Sequence, residues 1–219
     1  MQLDRLVYEV REQLSAISDD RWVSERYIIH TINVVRADFL RKLVTRAPYY
    51  NTVNVTQDVV LDMTKVSRSM APNCPMNCTI LRAENELPRL VYTGTLGNWF
   101  SIRPVDMVYR AFELTSYQKA GYLSFEFNVG YGFLNSDYFI YMLFKDNLEL
   151  GCAVVTGIFE DPLEVDPDLE DYPLDASIWN EMKPYVIDYI RNKPELDPIN
   201  NSEPDNDVNG QSINTNLGQ

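Results

Sequence analysis

Residues 1–46 read MQLDRLVYEVREQLSAISDDRWVSERYIIHTINVVRADFLRKLVTR, and the rest of the chain is organised around them. In the first part of this stretch apolar residues recur at steps of three and four, which predicts an amphipathic helix. Ser18, Asp19 and Asp20 follow, and their side chains compete for backbone groups, so we expect the first helix to end there. The apolar stripe consists of Leu3, Leu6, Val7, Val10 and Leu14.

A second helix is predicted to begin at Ser24 or Glu25. Its last turn carries Arg41 and Arg46, cations that suit the negative end of a helix, and Pro48 prevents the helix from continuing. Neither helix can bury its apolar stripe alone, so we predict that the two pack as an antiparallel hairpin. The second stripe consists of Ile28, Ile29, Ile32, Val35, Phe39, Leu40 and Leu43.

Length and composition favour a folded protein. The chain has 219 residues, of which 45% are hydrophobic and 12% aromatic, enough to bury a core. No apolar run approaches the ~20 residues that cross a bilayer, and charged residues in the first helix argue against a signal peptide. Three cysteines, an odd number, favour a reducing compartment. We expect a protein made in a cytoplasm, or used in a particle assembled there.

The negative charge is concentrated at the end of the chain. The net charge is −13, yet residues 1–46 hold eight basic and seven acidic side chains. Residues 160–219 hold three basic and fifteen acidic ones. Such a segment repels nucleic acid and anionic membranes, or pairs with a basic partner, or serves only as a solvating tail.

After Pro48 the period of hydrophobicity changes from helical to two residues, which predicts a β-rich region. Residues 70–75 contain two prolines and are predicted to be a loop, and residues 94–98 and 145–147 are predicted to be turns. Residues 138–144 are apolar throughout, as expected of a strand covered on both faces. Strands are predicted over 53–63, 79–82, 90–92, 99–108, 123–131, 138–144 and 148–155.

The C-terminal quarter begins with an acidic, proline-spaced connector over residues 161–175. A third helix follows, with Asp175 or Ser177 as its cap, and Pro184 is expected to kink or split it. Residues 194–219 contain no lysine or arginine and few apolar residues, so we predict an extended or disordered tail.

These patterns together predict an α+β fold, with an N-terminal helical hairpin and a C-terminal helix flanking a central antiparallel β-domain. We divide the chain into a hairpin (1–48), a β-rich domain (49–160), an acidic connector with the C-terminal helix (161–193) and an extended acidic arm (194–219).

The residues that could carry chemistry are few, and we predict no catalytic residue, metal or cofactor. His30 is the only histidine and lies beside apolar helix positions, where a packing role is favoured over that of a catalytic base. Cys74 and Cys78 form one pair, and only Cys152 and His30 could complete a zinc site. Phosphate-binding glycine loops are absent from the sequence, and basic residues are scattered, which argues against sequence-specific nucleic-acid binding.

Several short motifs resemble the head–tail connector, or neck ring, proteins of short-tailed crAss-like bacteriophages. Residues 3–11 carry the resemblance, as do the pair Asp19-Asp20, residues 26–28, and residues 36–41 in the second helix. Residues 74–82 resemble the cysteine-containing turn and strand of that family, and residues 157–162 resemble the end of its β-region. The resemblance spans about residues 3–165, and it assigns no counterpart to the acidic connector and tail.

The resemblance implies a virion structural protein that forms a homo-oligomeric, dodecameric ring at the head–tail junction, assembled in the bacterial cytoplasm. Such a ring would contact the portal protein and other neck or tail ring proteins, extend the DNA channel and help to retain the genome, passing DNA without sequence-specific binding and touching no membrane. The candidate subunit or portal interface consists of Leu3, Leu6, Val10, Ile28, Phe39, Arg41, Arg46, Tyr185, Tyr189, Ile199, Val208 and Ile213.

A function of another class stays open from the sequence. The acidic charge also fits a monomeric cytoplasmic adaptor, or an inhibitor that mimics nucleic acid. The two hypotheses differ in oligomeric state, because only the connector must form a ring. A hydrolase is a distant third hypothesis, since it would depend on His30 or the cysteines.

Overall fold

The computed structural model describes residues 1–16, 23–46, 54–70, 78–91, 100–105, 112–115, 119, 130–144 and 150–193. Its helices are α1 (Leu3–Ser15), α2 (Glu25–Arg46), the one-turn α3 (Pro162–Val165) and α4 (Ala176–Asn192), with a 3₁₀ turn at Arg68–Met70. Its strands are β1 (Gln57–Lys65), β2 (Thr79–Ala83), β3 (Phe100–Pro104), β4 (Glu113–Leu114), β5 (Tyr131–Leu134), β6 (Ile140–Phe144) and β7 (Cys152–Gly157). The predicted α+β architecture is therefore confirmed for these residues.

The seven strands form one sheet in the order β3-β7-β1-β2-β6-β5-β4. All neighbouring pairs are antiparallel except β4 and β5, which pair in parallel over two residues. In β1 the odd positions Leu61 and Met63 are buried, while the even positions Asp58 and Asp62 are exposed, as the two-residue period predicted. All five residues of β6 are buried, as predicted for a strand covered on both faces.

The two ends of the sheet meet, which the sequence did not predict. Phe112, just before β4, donates its N–H to the carbonyl of Ile102 in β3 at 2.9 Å, so the first and last strands of the order come together. A glycine makes the close approach possible, because a Cβ on Gly132 would lie 2.5 Å from Ile102 Cδ1. Closure of a sheet removes unpaired strand edges.

The chain buries two large apolar cores. One fills the closed sheet and includes Leu61, Ile102 and Met142, whereas the other joins α1, α2 and α4. The helical core lies at one end of the sheet. At that end, two consecutive residues pack into different cores. Ile158 packs into the helical core and Phe159 into the sheet core.

The first two helices form the predicted hairpin, and α4 completes the helical layer. Arg11 near the end of α1 pairs with Glu25 at the start of α2, at 3.2 Å. At the other end, the N-terminal amine of Met1 and the side chain of Arg36 both reach the segment just before α4. The two helices are therefore antiparallel, and the apolar stripe of each is buried with the help of α4.

Local signals explain most helix ends. α1 ends at Ser15, before the acidic turn. Ser24 caps α2, because its Oγ accepts a hydrogen bond from Tyr27 N–H at 3.3 Å. Asp175 occupies the cap position of α4 but makes no cap hydrogen bond, since its Oδ1 accepts from Asn54 Nδ2 at 2.7 Å instead. Pro184 does not split α4, which is continuous.

The acidic connector contains a helical turn that was not predicted. Asp161 Oδ1 accepts from Leu163 N–H at 2.9 Å, and Pro162 takes the first helical position, so α3 has both an N-cap and a favourable first residue. The strand predicted over 123–131 lies outside the described residues except for its last two positions, Gly130 and Tyr131, and Tyr131 begins β5. The predicted turns at 94–98 and 145–147 and the loop after Met70 also lie outside them.

Candidate functional site

The structure divides the candidate interface residues into buried and surface groups. Leu6, Val10 and Ile28 are fully buried in the helical core of the chain itself. They offer no surface to a neighbouring subunit. These three residues therefore stabilise the core of the chain rather than an interface. The reason is that each helix turns its stripe towards the other helices of the same layer. Ile199, Val208 and Ile213 lie outside the described residues.

The surface group includes aromatic residues on one side of α2 and α4. Tyr185 is 61% exposed, and its ring centroid lies 6.5 Å from that of the half-buried Phe39. Tyr189, one turn further along α4, accepts a hydrogen bond from Lys193 Nζ, and this ammonium lies 4.3 Å from the Tyr189 ring centroid. We call Phe39, Tyr185 and Tyr189 the aromatic face.

The remaining candidates differ in how firmly they are held. Leu3 packs partly against the helical core. Arg41 pairs with Asp38 at 2.7 Å and with Glu160 at 2.9 Å, which connects α2 to the residue after the sheet. Arg46 is exposed at the last position of α2. An interface role for these residues stays a prediction.

Arg36 is the most tightly bound polar residue of the helical layer. Its side chain is fully buried and donates to three main-chain carbonyls, those of Phe159 at 2.8 Å, Pro173 at 3.0 Å and Val55 at 3.1 Å. These carbonyls belong to the segments before β1, after β7 and before α4. Burial lowers the pKa of the guanidinium, and the nearby Tyr172 and Asp161 oppose that effect. Arg36 thus joins the helices to the end of the sheet.

A second polar chain runs beside Arg36. The buried Tyr172 hydroxyl donates to Asn33 Oδ1 at 2.6 Å, and Asn33 Nδ2 donates to Asp161 Oδ1 at 2.8 Å. The guanidinium carbon of Arg36 lies 5.6 Å from the Tyr172 ring centroid. Burial raises the pKa of Tyr172, so the phenol stays protonated and remains a donor. These groups order the helical layer.

Two polar residues at buried positions of α2 indicate this network in the sequence, although the apolar stripe around them drew attention away from it. Asn33 and Arg36 fall between Ile32 and Leu40 on the buried side of α2, at the spacing of a core stripe. A polar residue at such a position needs buried partners, since an unpaired one is costly. Apart from the Val55 carbonyl, the partners lie more than a hundred residues away, so the sequence alone could not name them.

Glu9 connects α1 to α4. Its carboxylate accepts from Trp179 Nε1 at 2.8 Å, from Lys183 Nζ at 3.0 Å and from Arg5 Nε at 3.1 Å. The indole hydrogen bond contributes most to holding the pKa of Glu9 below its usual range, and Lys183 and Arg5 add to it. Glu9 therefore stabilises the packing of the hairpin against the C-terminal helix.

The groups with possible chemistry are scattered. His30 is exposed on α2, and neither Cys78 nor Cys152 is in a disulfide. Burial raises the pKa of the Cys78 thiol, and a 3.2 Å hydrogen bond to Asp62 raises that of Cys152. A raised thiol pKa disfavours the nucleophilic thiolate. Within the described ranges no three potential ligands cluster as a metal site, and Cys74 lies outside them.

None of the helices that the structure describes is long and apolar enough to cross a membrane.

Comparison with known proteins identifies a family. The sequence matches the family model described as phage tail ring protein 2 over residues 5–210. No curated protein matches it. The family match confirms the resemblance to crAss-like phage ring proteins and extends it, because the acidic connector, α4 and part of the tail fall inside the matched range.

Proposed function

We propose that this chain, which belongs to the phage tail ring protein 2 family, forms the connector ring between portal and tail. The coarser part of this statement, a structural ring protein of a phage virion, follows from the family. The finer part is our proposal: a dodecameric ring at the head–tail junction that extends the DNA channel and helps to retain the genome. The family match across residues 5–210 is the observation that carries it.

Rigid, self-contained subunits suit such a ring. The helical layer is joined to the sheet by the buried Arg36 hydrogen bonds, and the edges of the sheet meet each other. A closed sheet leaves fewer unpaired edges for uncontrolled strand addition, so contacts between copies fall to side chains and terminal segments. We assign these contacts to the hairpin surface and to residues 194–219, and we assign no catalytic role.

An acidic surface supports passage of DNA through the ring. Five exposed carboxylates lie within residues 164–171, which we call the acidic loop. Among the described residues a cation pairs with only one of them, the N-terminal amine with Asp171 at 3.9 Å. Unneutralised carboxylates repel the phosphate backbone, so DNA can slide past them without adhering.

The test is assembly with the portal protein. Native mass spectrometry of the purified chain, alone and mixed with portal rings, measures the number of copies bound. We expect a single ring stoichiometry in the presence of portal and no measurable affinity for double-stranded DNA at physiological salt. A chain that stays monomeric with portal and instead binds a DNA-processing enzyme would overturn the connector in favour of the acidic adaptor.

A further inference from the structure

We infer that the aromatic face of α2 and α4 receives the C-terminal segment, residues 194–217, of a neighbouring copy of this chain. This inference rests on the proposed ring, because the donor of the segment is the adjacent subunit. The proposed function leaves open where one copy of the chain contacts the next, and this inference assigns that contact to a defined surface.

The aromatic face is exposed at Tyr185. Tyr185 is 61% exposed although its ring packs beside Phe39 over the helical core. Tyrosine offers a large, rigid contact surface with little side-chain entropy to lose, which is why it is enriched at binding surfaces.

Two cations lie next to the aromatic face, towards the C-terminal end of α2. Arg46 follows Phe39 by seven residues, or about two helical turns, so both point to the same side of α2 about 10 Å apart along the axis. Lys42 lies between them and is also exposed, and neither cation is in an ion pair with any described residue. The C-terminal segment holds five acidic residues and no basic one, so its charge complements this end of α2.

The spacing of residues in the segment matches the spacing on the face. Asp205 and Val208 are three residues apart, which is about 10 Å in an extended strand. Val208 over Phe39 and Tyr185 therefore brings Asp205 to Arg46. The exposed carboxylates of Glu181 and Asp188 flank Tyr185 on α4, and they favour this placement of the acidic residues over α2 rather than along α4.

The end of α4 and the length of the segment allow it to reach a neighbouring copy. Lys193 has extended backbone angles, φ −85° and ψ 116°. The following residue is Pro194, which disfavours a helical conformation at Lys193, so α4 ends there. Residues 194–219 can span up to ~85 Å when extended, which is enough to reach an adjacent subunit.

Photocrosslinking in assembled rings tests this inference. A photoreactive phenylalanine replaces Tyr185 in the full chain, and equal amounts of ¹⁵N-labelled and unlabelled chains are mixed before assembly with portal. Trypsin does not cleave before Pro194, and the segment contains no lysine or arginine, so cleavage after Arg191 releases residues 192–219 as one C-terminal peptide that mass spectrometry identifies. We expect adducts between position 185 of one isotopic form and this peptide of the other.

Tyr8 supplies the matched control, because it is a helix tyrosine of similar exposure, 65%, and lies on α1. The same photoreactive residue at position 8 should give no adduct with the C-terminal peptide. Intact rings whose position 185 forms no adduct with that peptide, or forms it only within one chain, would overturn the inference and leave the proposed function standing. Failure to form rings with portal at all would instead overturn the proposed function.

Two substitutions give the inference a quantitative form. Tyr185→Ala should lower the affinity between copies about 10-fold. Val60→Ala, at a residue of β1 that is 62% exposed and lies outside the hairpin, should leave that affinity unchanged. Arg46→Asp should lower it about 3-fold, and adding Asp205→Arg to the same chain should restore it, because the charges are then exchanged. Absence of that restoration would contradict the pairing of Asp205 with Arg46.

Discussion

Replacing Arg36 by methionine should lower the free energy of unfolding more than the same replacement of any other arginine on α2. The substitution preserves the length and most of the volume of the side chain but removes every donor. The carbonyls of Val55, Phe159 and Pro173 would then lose the partners that they have at 2.8–3.1 Å. Because the arginine is fully buried, water does not readily replace those donors.

The size of the effect follows from these three bonds. A buried acceptor that loses its partner costs about 1–3 kcal/mol. Three of them cost about 3–9 kcal/mol, and the loss of a buried charge offsets several kcal/mol of that. We expect a net loss of about 4 kcal/mol in the free energy of unfolding, which corresponds to a fall in Tm of about 8–16 °C for a chain of this size.

Urea unfolding followed by far-UV circular dichroism measures this loss. Wild type and variants are compared at one protein concentration, because association would add its own stabilisation. Arg41→Met is the matched control, since Arg41 lies on the same helix and loses only two surface ion pairs, worth less than about 1 kcal/mol. Equal stabilities for the Arg36 and Arg41 variants would refute the view that Arg36 joins the layers.

Three further predictions concern other parts of the chain. Because the pKa of Glu9 is lowered in the folded chain, its carboxylate stabilises the fold at pH values above the ordinary glutamate pKa, and this stabilisation is lost as the pH falls through the folded-state pKa. Glu9→Gln should therefore flatten the acid side of a plot of unfolding free energy against pH. It should cost about 1 kcal/mol at pH 7. An unchanged acid limb would contradict that role. Tyr172→Phe should cost about 1–3 kcal/mol in urea unfolding because it leaves Asn33 Oδ1 without its donor, and a neutral result would contradict the buried hydrogen bond. Deleting residues 194–219 should leave the circular dichroism spectrum and Tm unchanged yet impair docking onto a neighbouring ring, and normal particle assembly by the truncated chain would refute this.

Much of the fold could be predicted because local patterns and global packing agree. The stripes of α1 and α2 are the buried faces of those helices, and the two-residue period of β1 gives its inward and outward sides. Such agreement between levels is typical of natural sequences. The hydrophobic pattern did not distinguish a stripe that packs within the chain from one that packs on a neighbour, which is why Leu6, Val10 and Ile28 were placed at an interface.

Other features depend on contacts between distant residues, which no local pattern contains. The meeting of β3 with Phe112 depends on pairing across the sheet and on Gly132, whose role emerges only when Ile102 lies against it. The partners of Arg36 lie at three separate positions in the chain. Asp175, one of the two predicted cap residues, lies at the start of α4, but its side chain makes no cap hydrogen bond. The Asp175 carboxylate instead accepts a hydrogen bond from Asn54, which is far away in sequence.

Cryo-electron microscopy of the native virion would show the head–tail junction itself. We expect a closed ring of this chain between the portal and the tail, with the acidic loop free of contact with bound DNA bases and the C-terminal segment of each copy on the aromatic face of the next. A junction in which this chain is absent, or is present only as separate single copies bound to another protein, would contradict it.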